Sequence, residues 1–449
     1  MDAFLNLLNA VSGFVWGPYM LVLLVGTGIY LTLGIRLKSI TKIWYSFKLL
    51  FQGRDKAKQE GEGEITPFQA LTTALAATIG TGNIAGVATA IYLGGPGAVF
   101  WMWVTAVFGM ATKYGEAVLA VRYRETMPDG SFVGGPMYYI KNGLGKNWQW
   151  LGFLFALFAA IACFGIGNTV QSNSVADAVN KAFNLPHWVT GLALAALTFA
   201  VIIGGIKRIA NVAERIVPIM AVIYVVGALI VIFANFSEIG NAFSIIFTDA
   251  FSGTAATGGF AGAGIVAAMR FGVARGVFSN EAGLGSAPIA HAAARTTSPV
   301  RQGLVAGLSP FIDTIVVCTM TALVIIMTGA WTSGETGAAL TTMAFNQGLP
   351  GPGDFVVGFG LIFFAFSTIL AWSYYGQVAV EYIFGLKAVL PFRYLYVILV
   401  FIGAVINLDI VWTFADVMNG MMIIPNLIAL LALSPVIFRI TQEYFVNQK

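Results

Sequence analysis

The stretch TIGTGN, residues 78–83, lies in the middle of an apolar segment, residues 66–93, that is long enough to cross a membrane. Two threonines, two glycines and an asparagine are unfavourable in an isolated helix within hydrocarbon, because their polar groups need partners inside the protein. If the helix unwinds here, its free backbone N–H groups can hold a carboxylate and its free carbonyl oxygens can hold Na⁺. We therefore predict a helix that is broken at residues 78–83; a seam of small residues between intact helices is the alternative.

The composition around this stretch is typical of a membrane protein. Of the 449 residues, 58% are hydrophobic and only 10% are charged, whereas soluble domains carry about 25% charged residues. The net charge of +4 is small, and no basic patch with interleaved aromatic residues indicates binding to nucleic acid. Both cysteines, Cys163 and Cys318, fall inside apolar segments, so a disulfide framework is not expected.

The hydropathy pattern predicts an all-α, polytopic membrane protein with eleven transmembrane helices, since about 20 apolar residues span a bilayer. The predicted spans are residues 14–35, 66–93, 97–121, 148–175, 187–206, 209–234, 254–276, 303–331, 354–385, 390–408 and 409–438. When these spans alternate across the membrane, every Lys and Arg except Lys181 falls on one side, which should be the cytoplasmic side. The sequence therefore predicts a multi-pass protein of the cell membrane, with its N-terminus outside and its C-terminus in the cytoplasm.

After the first span, the remaining ten divide into two sets of five. We predict three regions: residues 1–65 as an N-terminal helix and cytoplasmic linker, residues 66–234 as a first five-helix repeat, and residues 235–449 as a second. Because five is odd, the second set starts on the opposite side of the membrane from the first. This is the inverted topology of many secondary transporters.

The first helix of the second repeat, residues 254–276, should then be broken as well. We place that break at residues 270–273 (RFGV), about 24 Å from the predicted outer end of the helix. Arg270 could contact a substrate there, although a side chain that reaches the cytoplasmic interface is the favoured interpretation. The glycines of this segment also suit close helix packing: Gly258, Gly259, Gly262 and Gly264.

Two longer motifs resemble those of one transporter family. The stretch GGPGAVFWMW at residues 94–103, followed by GMA at 109–111, is similar to the signature of the alanine or glycine:cation symporters, also called sodium:alanine symporters. The stretch SNEAGLGSAPIAHAAA at residues 279–294 is similar to that family too, and the resemblance covers nearly the whole chain. It implies a five-plus-five inverted repeat of the leucine-transporter type with an additional N-terminal helix. It also implies Na⁺-coupled uptake of the small neutral amino acids alanine and glycine by alternating access.

In the wider fold that this resemblance implies, the unwound first helix often reads Gly-x-Gly-Asn, and residues 80–83 match that pattern. Substrate should then lie among the first, third, sixth and eighth core helices. The glycines of FGIGN, residues 164–168, could open a small pocket in the third helix, and Trp372 in the eighth could limit its size; ordinary packing is the alternative for both. The candidate substrate-binding residues are therefore Thr78, Gly80, Thr81, Gly82, Asn83, Phe164, Gly165, Ile166, Asn168, Phe271, Gly272 and Trp372.

The candidate Na⁺ site is implied by the same fold. Ser367 and Thr368 are adjacent hydroxyl residues in the middle of the eighth core helix, and in this fold such a pair faces the unwound first helix. The predicted ligands are these two hydroxyls and the carbonyl oxygens of Ala76, Ile79 and Phe364. Alternatively, each hydroxyl bonds only to the carbonyl one turn earlier in its own helix.

Two further acidic residues lie inside apolar spans. Asp313 could tune a cation site or pair with an arginine, and Glu116 most simply pairs with Lys113, three residues earlier. No metalloprotease motif, Ser/His pair or paired aspartates indicate a membrane enzyme. Coupling to H⁺ and conduction by a channel are the remaining alternatives. We expect no organic cofactor and no obligatory protein partner.

Overall fold

The computed structural model describes residues 2–54, 61–252, 261–406 and 409–447. Helices dominate these residues, and one short antiparallel hairpin pairs β1 (Glu125–Thr126) with β2 (Phe132–Val133). The principal helices, numbered along the chain, are α1 Ala10–Gly34, α2 Ile43–Gln52, α3 Pro67–Thr78, α4 Gly82–Gly94, α5 Ala98–Arg122, α6 Lys146–Phe183, α7 His187–Ile202, α8 Gly205–Ala234, α9 Ile239–Ser252, α10 Ala261–Asn280, α11 Ala287–Ala292, α12 Pro299–Met327, α13 Gly337–Gly348, α14 Pro352–Phe384, α15 Leu386–Val405, α16 Asp416–Ala432 and α17 Ser434–Val446. The helical segment Asp2–Val15 leads into α1, and short helices lie at Lys38–Thr41 and Pro136–Tyr139.

Seven helices of the described part are long and apolar enough to cross a membrane: α1, α5, α6, α8, α12, α14 and α15. Two pairs, α3 with α4 and α16 with α17, reach this length together but are bent by 52° and 56°, which makes up to nine spans in these residues. The chain is thus a multi-pass membrane protein, as predicted. The count of eleven stays a prediction, because α7 has only 16 residues and residues 254–260 of another predicted span lie outside the described ranges.

The last predicted span, residues 409–438, does not continue as one straight helix. α16 ends at Ala432, and α17 starts at Ser434 with Pro435 in its first turn, where a missing N–H is tolerated. Pro435 has no N–H for the carbonyl four residues earlier and its ring clashes with that carbonyl, so α16 cannot run through it, and the chain changes direction here by 56°.

The structure confirms the predicted break in the first core helix. α3 begins with a capping box, in which the side chains of Thr66 and Gln69 each accept the other residue's backbone N–H. The helix ends at Thr78, and α4 resumes at Gly82 at an angle of 52°. The first turn of α4, Gly82–Gly86, is a π-helix, a form that is often found at functional sites.

The predicted break at residues 270–273 is wrong. α10 continues through these residues to Asn280 without interruption. Gly272 permits close packing: a Cβ at this position would lie 2.3 Å from a backbone carbonyl oxygen of α5. Of the four glycines that were predicted to pack in this segment, Gly258 and Gly259 lie outside the described residues.

The second broken helix instead unwinds at residues 281–286, between α10 and α11. Glu281, Gly283 and Gly285 have left-handed backbone angles, with φ of 55°, 91° and 82°. A right-handed helix cannot include such angles, and glycine adopts them most readily. Hydropathy alone misplaced the break, because the apolar segment ends several residues before these glycines.

The two broken helices lie among the other long helices. α10 packs along α4 and α5, α3 packs against α8 and α14, and α14 also packs against α6 and α8. A π-helical segment of α12, Phe311–Cys318, contacts α5, α10 and the start of α4. A second one, Gly165–Thr169 in α6, contacts α14, α15 and α16.

A short seam joins the chain ahead of α3 to the chain after α11. Glu62 pairs with Thr296, and Ile65 with Ala294, in isolated β-bridges. The guanidinium of Arg124 fastens this seam by donating to the carbonyl oxygens of Ala294 (2.8 Å) and Glu62 (2.9 Å). The segments that lead to the two breaks are therefore held together at one end of the bundle.

Candidate functional site

The two breaks border a small cavity of about 20 Å³. This volume holds about one water molecule, so the site has no room for an amino acid in this conformation. Its wall is formed by the first break with its flanking helices, α6, the end of α10 with the second break, α14 and α16. The lining residues are Ala77, Thr78, Gly80, Thr81, Gly82, Ile166, Gln171, Phe278, Glu281, Thr368, Trp372 and Asn419.

Half of the predicted substrate-binding residues lie on this wall. They are Thr78, Gly80, Thr81, Gly82, Ile166 and Trp372. Thr368, which we predicted as a Na⁺ ligand, lines the cavity as well. The structure thus brings together residues of the first, third and eighth core helices that are far apart in sequence.

Asn83 supports the first break from behind the cavity. Its side-chain oxygen accepts the N–H of Gly80 at 2.9 Å, and its side-chain nitrogen donates to a carboxylate oxygen of Asp313 at 2.7 Å. The Asp313 carboxylate also accepts hydrogen bonds from the hydroxyls of Ser279 (2.9 Å) and Thr314 (2.7 Å). Within the described residues Asp313 has no salt bridge, so this buried carboxylate links the two breaks and does not pair with an arginine.

Four oxygen atoms meet where α14 crosses the end of α3. The Ser367 hydroxyl lies 3.3 Å from the carbonyl oxygen of Ala76 and 2.9 Å from that of Phe364. The Thr368 hydroxyl lies 3.1 Å and 2.9 Å from the same two oxygens. Each hydroxyl is therefore within reach of its own helix and of α3, which combines the two interpretations of the sequence. Gly80 permits this approach, because a Cβ there would lie 2.8 Å from the Thr368 hydroxyl oxygen.

The second break places a carboxylate in the cavity wall. Glu281 accepts hydrogen bonds from the indole N–H of Trp372 at 3.1 Å and from the hydroxyl of Ser286 at 2.6 Å. α6 holds the indole from another side, since a Cβ at Gly167 would lie 2.2 Å from the Cβ of Trp372. Trp372 therefore has one position on the wall, fixed by packing and by a hydrogen bond.

Buried charged groups lie behind the second break. Lys113 of α5 is buried, and its ammonium group has no hydrogen-bond partner in the part of the chain described. It acts electrostatically on the carboxylates of Glu281 and Glu116, but within the described residues neither forms a salt bridge with it. The predicted ion pair between Lys113 and Glu116 is not formed: the Glu116 carboxylate accepts the N–H of Gly283 at 3.1 Å and a side-chain N–H of Asn426 at 2.7 Å. Gly283 can donate because the break frees its N–H from helical bonding.

Three polar atoms of the cavity-lining residues have no hydrogen-bond partner in the described ranges. They are the hydroxyl oxygen of Thr81 and the side-chain oxygens of Gln171 and Asn419. The side-chain nitrogen of Gln171 donates to the carbonyl oxygen of Ile166 at 2.9 Å, which leaves the Gln171 oxygen to accept a bond. A buried polar atom without a partner costs about 1–3 kcal/mol, so a ligand or water that brings hydrogen-bond donors would stabilise this site.

Other predicted residues of α6 lie away from this cavity. The ring of Phe164 packs against Phe392 and Tyr396, and the side chain of Asn168 donates to the carbonyl oxygen of Tyr396 at 2.8 Å. Gly165 is the first residue of the π-helical segment Gly165–Thr169, which includes Asn168. A π-helical turn contains more residues than an α-helical turn, so side chains at helical spacing do not keep to one face.

Four more residues considered in the sequence also lie outside the cavity wall. Phe271 and Gly272 belong to the unbroken part of α10, where a Cβ at Gly272 would lie 2.7 Å from the Cβ of Trp101 on α5. The Arg270 guanidinium is 5.6 Å from the ring centre of Phe271. Ile79 is buried just after α3, and its N–H donates to the carbonyl oxygen of Leu75 at 2.7 Å.

Five residues of the wall were not predicted from the sequence: Ala77, Gln171, Phe278, Glu281 and Asn419. Glu281 did have a signal, because it stands ahead of two closely spaced glycines that favour a turn. Gln171 had no such signal, because the π-helical segment before it disrupts the helical spacing from which its face could be predicted. Nothing in the local sequence distinguishes Asn419 from other polar residues near helix ends.

Comparison with known sequences finds matches along the whole chain. A family model described as the sodium:alanine symporter family matches residues 1–449. The chain is 52% identical over 447 residues to the sodium/alanine symporter AgcS of Methanococcus maripaludis, covering 98% of this chain and 97% of that protein. It is 37% identical over 446 residues to the probable sodium/glutamine symporter GlnT of Bacillus subtilis, covering 99% of this chain and 91% of that protein.

Solved structures resemble this one at low sequence identity. The crystal structure of MhsT in complex with L-phenylalanine is 14% identical, with a TM-score of 0.57, and the match covers 85% of this chain and 99% of that chain. A manganese transporter of Eremococcus coleocola, in complex with an aromatic bis-isothiourea substituted compound, is 14% identical, with a TM-score of 0.53 and coverage of 80% and 75%. These likenesses show the fold alone, which is of the leucine-transporter type.

Proposed function

Since this chain belongs to the sodium:alanine symporter family and is a secondary amino-acid symporter, we propose a specific substrate and coupling ion for it. It takes up alanine and glycine, with Na⁺ as the coupling ion. The proposed mechanism is alternating access, in which the cavity between the breaks opens to one side of the membrane at a time. Eleven spans, a five-plus-five inverted repeat, an external N-terminus and a cytoplasmic C-terminus are parts of the same proposal.

The observation that carries the substrate proposal is the set of unpaired atoms on the cavity wall. The oxygens of Gln171 and Asn419 can accept bonds from an ammonium group, and the Thr81 hydroxyl can accept or donate. At Gly82 the chain enters α4, and the first N–H groups of a helix favour a carboxylate. An α-amino acid carries an ammonium and a carboxylate on one carbon, so it satisfies both kinds of group within a small volume.

The wall also explains why the substrate should be small. Ile166, Phe278 and Trp372 supply its large apolar surfaces, and Trp372 is held by Glu281 and by the close approach of α6. A cavity of about 20 Å³ must widen to admit any amino acid, and every added methylene requires further displacement of close-packed side chains. Glycine and alanine require the least.

The cluster of four oxygens supports the proposed Na⁺ site. Ala76 and Phe364 contribute carbonyl oxygens, and Ser367 and Thr368 contribute hydroxyls. Each hydroxyl oxygen lies between 2.9 and 3.3 Å from each of the two carbonyl oxygens. Carbonyl oxygens of unwound membrane helices are ligands of this kind for Na⁺. An ion bound here would connect α3 with α14 and favour the substrate-ready conformation, because a ligand shifts a population toward the state that binds it better. Ile79 remains a predicted fifth ligand.

Uptake into proteoliposomes tests this function. Labelled alanine should accumulate when a Na⁺ gradient is imposed, and unlabelled glycine should compete far better than leucine or phenylalanine. Equal competition by leucine would contradict the small-substrate proposal. Accumulation that follows an imposed pH gradient and ignores Na⁺ would instead support H⁺ coupling, and flux that never saturates would indicate a channel.

A further inference from the structure

A second cavity, of about 460 Å³, lies at one end of the bundle and shares no residue with the cavity between the breaks. It is enclosed by the end of α1, the turn that follows it, α2 and α17. α1 is an apolar span that ends at Gly34, so this cavity lies at the level where hydrocarbon gives way to lipid headgroups. The proposed transport cycle makes no use of it.

Three cationic side chains converge on this cavity: Arg36, Lys38 and Lys42. No acidic residue lines it, and in the described residues no carboxylate lies within 4 Å of any of the three. Lys38 and Lys42 are half-buried, so water screens their mutual repulsion less than at an open surface. An anionic group bound among them would remove that repulsion.

The backbone is arranged to produce this convergence. Arg36 and Leu37 both have left-handed backbone angles, with φ of 54° and 55°, and such angles are unfavourable for residues with a side chain. They turn the chain sharply after α1, so that Lys38 and Lys42 line the same cavity as Arg36. The ammonium of Lys38 is also held 4.9 Å from the ring centre of Phe445 on α17, a cation–π contact.

Apolar side chains border the same cavity. Phe438, Phe445 and Val446 of α17 contribute to its wall, and Val446 is 61% exposed. Leu33, which precedes the lining residue Gly34 on the last turn of α1, is 63% exposed. A ligand that fits this border has an anionic head and a hydrocarbon tail.

We propose that this cavity binds the phosphate headgroup of an anionic membrane phospholipid, with Arg36, Lys38 and Lys42 around the phosphate and the acyl chains along α1 and α17. Basic pockets between membrane helices bind anionic headgroups in this way. Free inorganic phosphate offers the same charge without the tail, and the experiment separates the two sources.

The test measures thermal unfolding of the purified full-length protein in a neutral detergent. Dioctanoyl phosphatidylglycerol should raise the Tm of the wild type by several degrees, whereas dioctanoyl phosphatidylcholine and inorganic phosphate should leave it unchanged. The variant Arg36→Gln/Lys38→Gln/Lys42→Gln should lose at least half of that shift. The matched control Arg122→Gln/Lys146→Gln/Lys387→Gln removes the same charges from exposed positions and should keep the full shift.

Equal shifts in all three proteins would overturn the proposal, and so would a shift of the same size with inorganic phosphate. Native mass spectrometry of the wild type gives a reading that does not depend on the variants. At a collisional activation energy that removes bound phosphatidylcholine, the protein should still retain phosphatidylglycerol. Equal retention of the two lipids would also overturn the proposal.

Discussion

The break between α3 and α4 contains no ionisable side chain, whereas the break between α10 and α11 begins with Glu281 and is supported by Glu116 through the N–H of Gly283. The first is short, and its shape is held by the neutral side chain of Asn83. The second is longer and includes three left-handed residues. Two helices in corresponding positions of the proposed repeats are therefore interrupted by different means.

The difference suggests a division of roles. A neutral break can take up a cation and a zwitterion and release them again, because no permanent charge competes for either. A charged break must instead keep its own charges compensated inside the membrane at all times, which Lys113 supports here. We infer that the first break exchanges ligands in each cycle and that the second is a fixed polar framework.

The largest expected effect is on the framework. Lys113→Met should lower the free energy of unfolding by about 3 kcal/mol, because it removes the buried positive charge that acts on the buried carboxylates of Glu281 and Glu116, although it makes no direct salt bridge to either in the described residues. The double variant Lys113→Met/Glu281→Gln should recover much of the loss. Thermal unfolding in detergent measures both. Lys141→Met is the control, because its ion pair with Glu125, at 2.9 Å, is partly exposed and contributes little; equal destabilisation by the two lysine variants would erase the distinction between the breaks.

The next largest effect is on the exchanging break. Gly80→Val and Gly82→Val should each reduce alanine binding about tenfold to a hundredfold, because overpacking costs about 1–3 kcal/mol. A Cβ at Gly80 meets the Thr368 hydroxyl at 2.8 Å, and one at Gly82 meets the Cα of Ser279 at 3.3 Å. Binding is measured by scintillation proximity with labelled alanine. Gly86→Val, where a Cβ meets nothing within 4 Å, should bind normally; wild-type binding in all three variants would favour an ordinary packing seam.

A smaller effect is expected for the hydroxyls beside the first break. Ser367→Ala and Thr368→Ala should each raise the Na⁺ concentration for half-maximal alanine uptake about fivefold, which corresponds to about 1 kcal/mol for one lost ligand. Ser373→Ala is the matched control, because that buried hydroxyl donates to the carbonyl oxygen of Leu370 within its own helix. An unchanged Na⁺ dependence in both test variants, with uptake intact, would move the search for the ion to Thr78, Asn83 and Asp313.

The smallest effect should be at the contact between α14 and the second break. Trp372→Phe removes the hydrogen bond to Glu281 and shortens the ring, so alanine uptake should fall about threefold while competition by valine increases. Trp103→Phe provides the control, since its indole N–H donates to the hydroxyl of Thr319 at 2.8 Å, away from the cavity. Competition assays in proteoliposomes give both values. If valine competes equally in wild type and Trp372→Phe, the indole does not limit substrate size.

The sequence was sufficient for the parts of the fold that depend on polarity. Glycines and polar residues in the middle of an apolar segment located the first break, and the adjacent hydroxyls Ser367 and Thr368 do approach the end of α3. The second break depends on backbone angles at Gly283 and Gly285, which hydropathy does not register. An apolar window therefore placed it too early in the chain.

Side-chain direction was harder to predict than helix position. The π-helical segment Gly165–Thr169 changes which residues of α6 reach the cavity, so Gln171 lines it and Asn168 does not. The i,i+3 spacing suggested a pair of Lys113 and Glu116, but donors from remote segments bind one oxygen of the carboxylate instead. Local spacing cannot anticipate partners that come from remote segments.

The seam between residues 62–65 and 294–296 has a consequence for how the bundle can move. The N–H of Arg295 donates to the carbonyl oxygen of Ile65 at 2.7 Å, and the N–H of Glu64 donates to that of Ala293 at 2.8 Å, close to the start of α3 and the end of α11. Any tilt of α3 at this end therefore pulls the chain after α11 with it, as long as these bonds persist. The two broken helices are therefore coupled at this end, and α3 and α11 should move together there.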